Sequence, residues 1–293
     1  MSATLVARKD FADAARSRLL WGISALFVLF IGVIVYAAET VGDPPSATAT
    51  LSILVVPVQL IVPIAALVVG YMAIVGERRS GSIKMLYGLP HRRGDILLGK
   101  LLGRSGVMAA SVAVGFVAAA ALLLVLRGPV DFGSFLGFAA VTALFAMTFV
   151  AIAVGISASV STRGRAMGLA LGFYMVFNFF WDAIASGVYY LINGSIPGLE
   201  VEAWYFLLKR LSPIQAYKHV ASLAFDRDVN GIALFPAEDL SAATGPEDLE
   251  LANRVIGELP FYLEDWFALV ILALWALVPV TIGYLRFRNA DLG

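Results

Sequence analysis

The sequence predicts an all-α protein that crosses a membrane six times. Of its 293 residues, 60% are hydrophobic and only 14% are charged, and six separate stretches are long and apolar enough to span a bilayer. Soluble domains carry about 25% charged residues, and one of this size could not bury so much apolar surface. The composition therefore excludes an ordinary soluble enzyme, a disordered chain and a free nucleic-acid-binding domain.

The spans follow from length, because a helix needs about 20 apolar residues to cross the hydrocarbon core. No alternating ten-residue pattern indicates a barrel. The six predicted spans cover about Leu19–Ala38, Leu51–Val75, Ser105–Leu126, Phe135–Val160, Ala166–Ile192 and Trp266–Leu285.

Residues 1–18 combine several charges with apolar side chains such as Leu5, Val6 and Phe11. This mixture predicts a helix lying at the membrane interface, with Trp21 anchoring the first span. A solvated tail is the alternative.

The distribution of charge predicts the orientation. Residues 1–18, 76–104, the short loop after the fourth span and the C-terminus hold 15 of the 21 Lys and Arg residues, whereas 15 of the 21 acids lie on the opposite side. Basic loops stay in the cytoplasm. We therefore expect a multi-pass protein of the cell membrane with both termini in the cytoplasm, and these basic clusters do not indicate nucleic-acid binding.

Cysteine and histidine usage limits the chemistry. The chain has no cysteine and only His91 and His219, which excludes disulfides and thiol catalysis and leaves too few histidines for a histidine-built metal site. A membrane-embedded enzyme is disfavoured, because neither H-E-x-x-H nor G-x-S-x-G occurs and no span holds paired acids.

The segment 193–265 is the only substantial external piece. Ser212-Pro213 is a good helix start, and the preceding Ala203–Leu211 is apolar and aromatic. We expect two short helices that meet at Pro213 and lie on the outer membrane face. A third helix is predicted over Pro246–Gly257, where early acids suit the helix dipole.

One sequence resembles a nucleotide-binding loop. Residues Gly94 to Leu101 fit G-x-x-x-x-G-K, but Leu101 stands where Ser or Thr would bind magnesium, and no strand precedes the motif. We reject nucleotide binding here, so any ATP chemistry lies in another polypeptide.

The loop at 76–104 contains a short predicted helix, which Ser80 or Ser82 can cap and which Gly88 and Pro90 break. Its apolar residues are Ile83, Met85, Leu86 and Leu89. Such a helix suits docking into a groove of another protein. A basic loop that only binds lipid headgroups is an equal alternative on the residues alone.

The loop from Glu77 reads Glu-Arg-x-Ser-Gly-Ser-x-Lys-x-Leu-x-x-Leu-Pro-x-x-Arg-x-x-Ile-Leu-x-Gly-Lys. It resembles the loop after the second span in ABC transporter permeases of the type-2 exporter class, and looks closest to the branch that includes the nitrous-oxide-reductase maturation permease. The six spans, the interfacial helix and the external Leu-Ser-Pro element agree with that class.

The resemblance implies a coupling helix over about Ser80–Leu89, which docks on a separate ATPase subunit with Glu77, Arg78 and Lys84 as polar contacts. Two permeases and two ATPases would form an exporter, with ATP bound and hydrolysed only by the partner and no cofactor in this chain. An ATP-independent channel, secondary carrier or scaffold remains the alternative.

Two further patterns concern the spans. Glycines repeat every four residues at Gly164, Gly168 and Gly172, and at Gly133 and Gly137. They favour close helix packing within one subunit slightly over a dimer seam.

Asn178 and Asp182 are four residues apart, so an α-helix would place them on one face of the fifth span. Because a charge in lipid is costly, we expect this pair to line or gate the transport route. Hydrogen bonding to a neighbouring helix, or a wet position near the outer surface, is the alternative.

Overall fold

A computed structural model of the chain describes residues 3–15, 18–40, 46–80, 93–225, 238–241, 243 and 245–289. These residues are mostly helical, and their only β-type pairing is an isolated bridge between Val201 and Val255. The all-α class is therefore confirmed. The helices are α1 (Ala3–Ala15), α2 (Arg18–Thr40), α3 (Ala47–Ile53), α4 (Val55–Gly70), α5 (Val75–Ser80), α6 (Arg93–Arg127), α7 (Phe132–Ser159), α8 (Arg163–Met175), α9 (Trp181–Asn193), α10 (Ala203–Arg210), α11 (Pro213–Phe225), α12 (Leu251–Arg254) and α13 (Phe267–Arg288).

Five helical segments are long and apolar enough to cross a membrane, so the chain is a polytopic membrane protein. They are Val55–Arg78, Arg93–Arg127, Phe132–Ser159, Arg163–Asn193 and Phe267–Arg288, and they match the second to sixth predicted spans. The first predicted span falls in α2, whose fully described apolar part, Ser24–Ala37, is shorter than a crossing requires. A sixth crossing therefore stays a prediction.

The bundle has two ends. The end that carries α1, the start of α6 and the last turn of α13 is called the terminal end. The end that carries residues 194–266 is called the insertion end. Because α6 begins at Arg93, the second half of the predicted loop at 76–104 is the first part of a long helix.

The N-terminal helix packs along the first turns of α6. A side chain at Gly99 would lie 2.5 Å from Val6, and one at Gly103 would lie 2.8 Å from Asp10. The buried carboxylate of Asp10 is 2.7 Å from the Lys100 ammonium. Small residues on α6 thus allow α1 to be held by direct contact and by charge.

The second span is interrupted near both ends. Pro57 lacks an N–H to bond the Ile53 carbonyl, and the helix breaks at Leu54 between α3 and α4. A second break follows α4, where the N–H groups of Ile74 and Val75 donate to the buried Ser157 hydroxyl at 3.0 and 3.1 Å. Ser157 of α7 thereby fixes the start of α5.

Replacing Ser157 with Ala should destabilise the protein by about 1–3 kcal/mol, because two buried backbone N–H groups would lose their acceptor. Thermal unfolding in detergent measures the effect. Ser159→Ala is the matched control, since the Ser159 hydroxyl bonds the Gly155 carbonyl of its own helix. Equal stability of the two variants would contradict the assigned role.

The centre of the bundle is α7, whose Phe138, Phe145 and Phe149 are fully buried. It packs against α13 with almost no space between the backbones. A Cβ at Gly155 would lie 2.3 Å from the Pro279 carbonyl oxygen, and one at Gly283 would lie 2.7 Å from the Gly155 oxygen. Helices α7 and α13 therefore form a closely packed pair.

The two short helices α10 and α11 meet just before Pro213, as predicted, but they enter the bundle. Trp275 of α13 donates to the Leu211 carbonyl at 2.8 Å. Ser212 donates to the Phe177 carbonyl at 3.3 Å, midway along the α8–α9 segment. The turn of this helical hairpin thus lies deep in the bundle, whereas the sequence placed it on the outer membrane face.

The hairpin enters the bundle because α11 carries a wide apolar surface that packs against an apolar surface of α7. The Tyr217 ring stacks on Phe145 with centroids 4.1 Å apart, and Ala224 lies 3.2 Å from a Cβ built at Gly137. Burial of these aromatic groups stabilises the hairpin inside the bundle more than an interfacial position would.

Two other expectations need correction. A Cβ added at Gly164, Gly168 or Gly172 would have no neighbour within 4 Å, so the glycine stripe of α8 does not pack within the described part of this subunit. The helix predicted over Pro246–Gly257 is a 3₁₀ turn followed by the single turn of α12. It ends where Val255 becomes extended, and the backbone on either side of Val255 pairs with Val201, whose N–H donates to the Arg254 carbonyl and whose carbonyl accepts from the Ile256 N–H.

Candidate functional site

Helices α9, α10, α11 and α12 enclose a polar cavity of about 170 Å³ at the insertion end. Two of its lining cations are almost fully buried: Arg210 is 3% exposed and Lys218 is 4% exposed. We call this space the basic cavity. Its lining residues are Asp182, Phe206, Lys209, Arg210, Gln215, Lys218, His219, Leu249, Leu251 and Arg254.

Glu238 joins two of these cations. Its carboxylate contacts the Lys209 ammonium on one side and lies 2.7 Å from the Arg254 guanidinium on the other, and it accepts a 2.8 Å hydrogen bond from Tyr205. Burial of the carboxylate opposes its ionisation, but the charges and hydrogen bonds of Lys209 and Arg254 outweigh it and lower the pKa of Glu238 to about 2.

Asp265, just before the start of α13, forms a second set of contacts between charged side chains. One of its oxygens lies 2.9 Å from His219 Nδ1 and 3.4 Å from Arg210. Arg210 also donates to the Glu264 carbonyl at 3.0 Å. The turn that leads into α13 is therefore tied to both helices of the hairpin.

Asp182 lies at the wall of the basic cavity. Both carboxylate oxygens accept from the Gln215 amide at 3.1 Å, and the Lys209 ammonium is 3.8 Å away. The hydrogen bond to a neighbouring helix, given above as an alternative for Asp182, is thus present. It joins the fifth span to α11.

Asn178 is the other residue of the predicted pair. It lies in a π-helical turn over Val176–Phe180, which directly precedes α9, the helix that holds Asp182. Both side-chain polar atoms of Asn178 are buried without a hydrogen-bond partner among the described residues. Buried amides without a partner are uncommon in proteins, so Asn178 is a candidate for a functional role.

The sequence analysis missed the charged residues around Asp182. A usable signal was present: six basic residues fall on the acidic side of the chain, and four of them, Lys209, Arg210, Lys218 and Arg254, line the basic cavity. Basic residues that depart from the charge bias of a membrane protein mark a site, because they have a specific role that outweighs topology.

Three of the residues predicted to contact an ATPase, Glu77, Arg78 and Ser80, are described, and they lie at the terminal end. Glu77 is 2.6 Å from the Lys100 ammonium. Arg78 donates to the Val160 carbonyl at 3.3 Å, and Ser80 is the last residue of α5. The remaining predicted contacts, Ile83, Lys84, Met85, Leu86 and Leu89, lie outside the described residues.

Two features bear on cofactors. Residues Gly94 to Leu101, which fit part of a phosphate-loop pattern, are helical within α6, so most of their N–H groups bond inside the helix. Among the described residues, no group of three or more His, Asp and Glu side chains is arranged to hold a metal ion.

Comparison with known proteins gives a consistent result. Residues 4–292 match the family described as ABC-2 family transporter protein. A probable ABC transporter permease protein NosY from Pseudomonas aeruginosa is 32% identical over 254 residues, which cover 84% of this chain and 91% of that protein. The protein of the same name from Stutzerimonas stutzeri is 32% identical over 228 residues, or 75% of this chain and 81% of that protein.

Proposed function

This chain belongs to the ABC-2 family of transporter proteins and is the membrane subunit of an ABC transporter, and on that premise we propose that it is the permease of an ATP-driven exporter whose ATP is hydrolysed by a separate subunit. The observation that carries the proposal is the family match, which extends from α1 to the last turn of α13. Leu101 stands where a phosphate-binding loop has the Ser or Thr that binds magnesium, which supports a separate energy source.

The ATPase docks on the coupling segment, Ser80–Leu89. Its first residue, Ser80, is the last residue of α5, at the same end of the bundle as most of the basic residues. The concentration of Lys and Arg supports a cytoplasmic terminal end, and therefore cytoplasmic termini in a cell-membrane protein. An ATPase in the cytoplasm would meet the segment directly.

Two copies of the chain form the working permease. Of the five membrane-spanning segments, Arg163–Asn193 has the smallest buried fraction, and the glycine stripe of α8, at its start, faces open space. Beside it, an apolar groove of about 170 Å³ lies between α4 and α8, lined by side chains such as Leu67, Val68 and Leu171. Small residues at an uncovered helix face allow close approach of another helix in lipid.

The experiment is affinity purification of the tagged chain from a host that also expresses an ATPase encoded by a neighbouring reading frame. Co-purification with nucleotide hydrolysis above that of the isolated ATPase is the expected result. A chain that purifies without the ATPase, and whose presence leaves hydrolysis unchanged, would refute the proposal and favour a channel or scaffold.

Asp182 and Asn178 line or gate the route. We expect Asp182→Ala and Asn178→Ala each to lower transport in proteoliposomes by at least tenfold, a loss equivalent to about 1.4 kcal/mol of barrier. The physical reason is that Asp182 fixes the hairpin through Gln215, while Asn178 presents an unbonded amide. Asp131→Ala is the control, since Asp131 only caps α7. Full transport by both variants would exclude this role.

A further inference from the structure

Two arginines on either side of the segment 81–92 share one aromatic ring. The Arg78 guanidinium is 5.0 Å from the centre of the Phe287 ring, and that of Arg93 is 5.9 Å from it. Phe287, in the last turn of α13, is fully buried. A guanidinium within about 6 Å of a ring centre is attracted by the ring, and more strongly when water is excluded.

The same arginines also bond helix C-termini. Arg93 donates to the carbonyls of Phe287 and Arg288 at 2.8 and 2.6 Å, and Arg78 donates to the carbonyl of Val160, which ends α7. The last carbonyls of a helix have no partner within it and carry partial negative charge, so cations are stabilised there. Each side of the segment is thus attached to the end of a different span.

The elements that flank the segment are themselves bonded to their neighbours. Ser157 of α7 accepts two N–H groups at the start of α5, and Glu77 of α5 pairs with Lys100 of α6. Helices α7 and α13 touch at Gly155 and Pro279 with no space for a methyl group. A displacement of the segment therefore cannot be absorbed locally in α5 alone, because α5 is held at several points.

The α7–α13 pair is connected to the basic cavity through the hairpin of α10 and α11. Trp275 of α13 bonds the Leu211 carbonyl at the turn of the hairpin, and Tyr217 of α11 stacks on Phe145 of α7. The hairpin in turn supplies Lys209 and Gln215, which contact Asp182. A continuous set of packed contacts connects the two ends.

We propose that Arg78, Arg93 and Phe287 are positioning residues that mount the segment 81–92 on the α7–α13 pair, so that a push on the segment moves the hairpin and the basic cavity. This assigns Arg78, together with Glu77, to the mount and leaves the ATPase surface to Ile83, Lys84, Met85, Leu86 and Leu89. That an ATPase pushes on the segment rests on the proposed function. The attachment by Arg78, Arg93 and Phe287 is a property of this chain.

The mount can be tested without an ATPase. The chain has no cysteine, so nitroxide labels can be placed by Leu86→Cys and by Phe132→Cys, the latter at an exposed position at the start of α7. Double electron–electron resonance then records the distribution of distances between the labels, in purified chain diluted with unlabelled chain. The distribution should be broader in Arg93→Met and Phe287→Leu than in the labelled parent.

Two further variants make the result specific. Arg286→Met is the matched control, because Arg286 is an exposed arginine beside Phe287, and its distribution should equal that of the parent. Arg93→Lys keeps a cation at the end of α13 and should restore most of the narrow distribution, which a general loss of folding would not allow. Parent-like distributions in both Arg93→Met and Phe287→Leu would overturn the mount.

A second arm uses the complex with the ATPase. Leu223→Cys, exposed on α11, places one label on each of the two permease chains in the complex. The distribution of distances between these two labels should change when ATP is added to the parent complex. In Arg93→Met and Phe287→Leu the ATPase should still co-purify, but this change should be lost. If the variants respond as the parent does, the hairpin does not move through the contacts of Arg93 and Phe287. The inference is then refuted and the proposed function stands. If the parent neither binds the ATPase nor responds, the proposed function fails, and with it the assigned transmission.

Discussion

Replacing Gly155 with Ala should destabilise the protein by about 2–4 kcal/mol, a large effect for one added methyl group. The new Cβ would lie 2.3 Å from the Pro279 carbonyl oxygen and 2.5 Å from its carbon. Since both contacts are with backbone, no side chain can rotate away, and α13 must move from α7. Thermal unfolding in detergent, followed by tryptophan fluorescence, measures the loss.

Gly187→Ala provides the matched control for this substitution. Gly187 lies in α9 with no neighbour within 4 Å of a Cβ, so the change should be neutral or stabilise by up to about 1 kcal/mol through helix propensity. If Gly155→Ala unfolded at the same temperature as Gly187→Ala, the close packing of α7 and α13 would be refuted.

The second large effect is expected for Glu238→Gln, which should cost about 3 kcal/mol of folding free energy. The side chain of Glu238 is only 8% exposed. Replacing the carboxylate with a neutral amide leaves Lys209 and Arg254 without the negative charge between them. Breaking one side of a buried ion pair costs about 3–5 kcal/mol, because the remaining charge is uncompensated. The midpoint of thermal unfolding at pH 7 should fall by several degrees.

The same carboxylate predicts a pH dependence. The pKa of Glu238 is about 2 in the folded protein, below its ordinary value of 4.5. Its contribution is therefore fully present above about pH 4.5 and is lost as the pH falls from there towards about pH 2. Unfolding midpoints measured across this range should fall less steeply in Glu238→Gln than in the parent.

Glu258→Gln is the control for both measurements, because Glu258 is exposed and surface charges contribute little. It should keep the parent's stability at pH 7 and the parent's slope at low pH. A loss of stability in Glu258→Gln equal to that in Glu238→Gln would show that net charge, and not the buried junction, is responsible.

The local features of the hairpin were predictable, but its depth was not. Ser212-Pro213 indicated where α11 starts because capping and a fixed proline φ depend on adjacent residues. Its insertion depends on the match between Tyr217 and Phe145, which are far apart in the sequence. A pattern of apolar residues shows that a helix has a buried face, and does not show what covers it.

The same distinction applies to the candidate site. Asp182 was identified because an acid within an apolar stretch stands out in the sequence. Its partners Gln215 and Lys209 come from the hairpin, and Glu238 comes from a separate stretch, so no spacing rule connects them. The π-helical turn that holds Asn178 was likewise not predictable, because four-residue spacing does not show where i to i+5 bonding replaces α-helical bonding.

By itself, the sequence determined that this chain is an all-α membrane protein with a basic end, an acidic insertion and the motif of a transporter permease, because hydropathy, charge bias and local motifs act over a few residues at a time. The tertiary structure decided which helices touch. Backbone contact at Gly155 and Pro279, the entry of the hairpin, and the convergence of Arg78 and Arg93 on Phe287 all arise from packing between distant segments, where shape and charge must match in three dimensions.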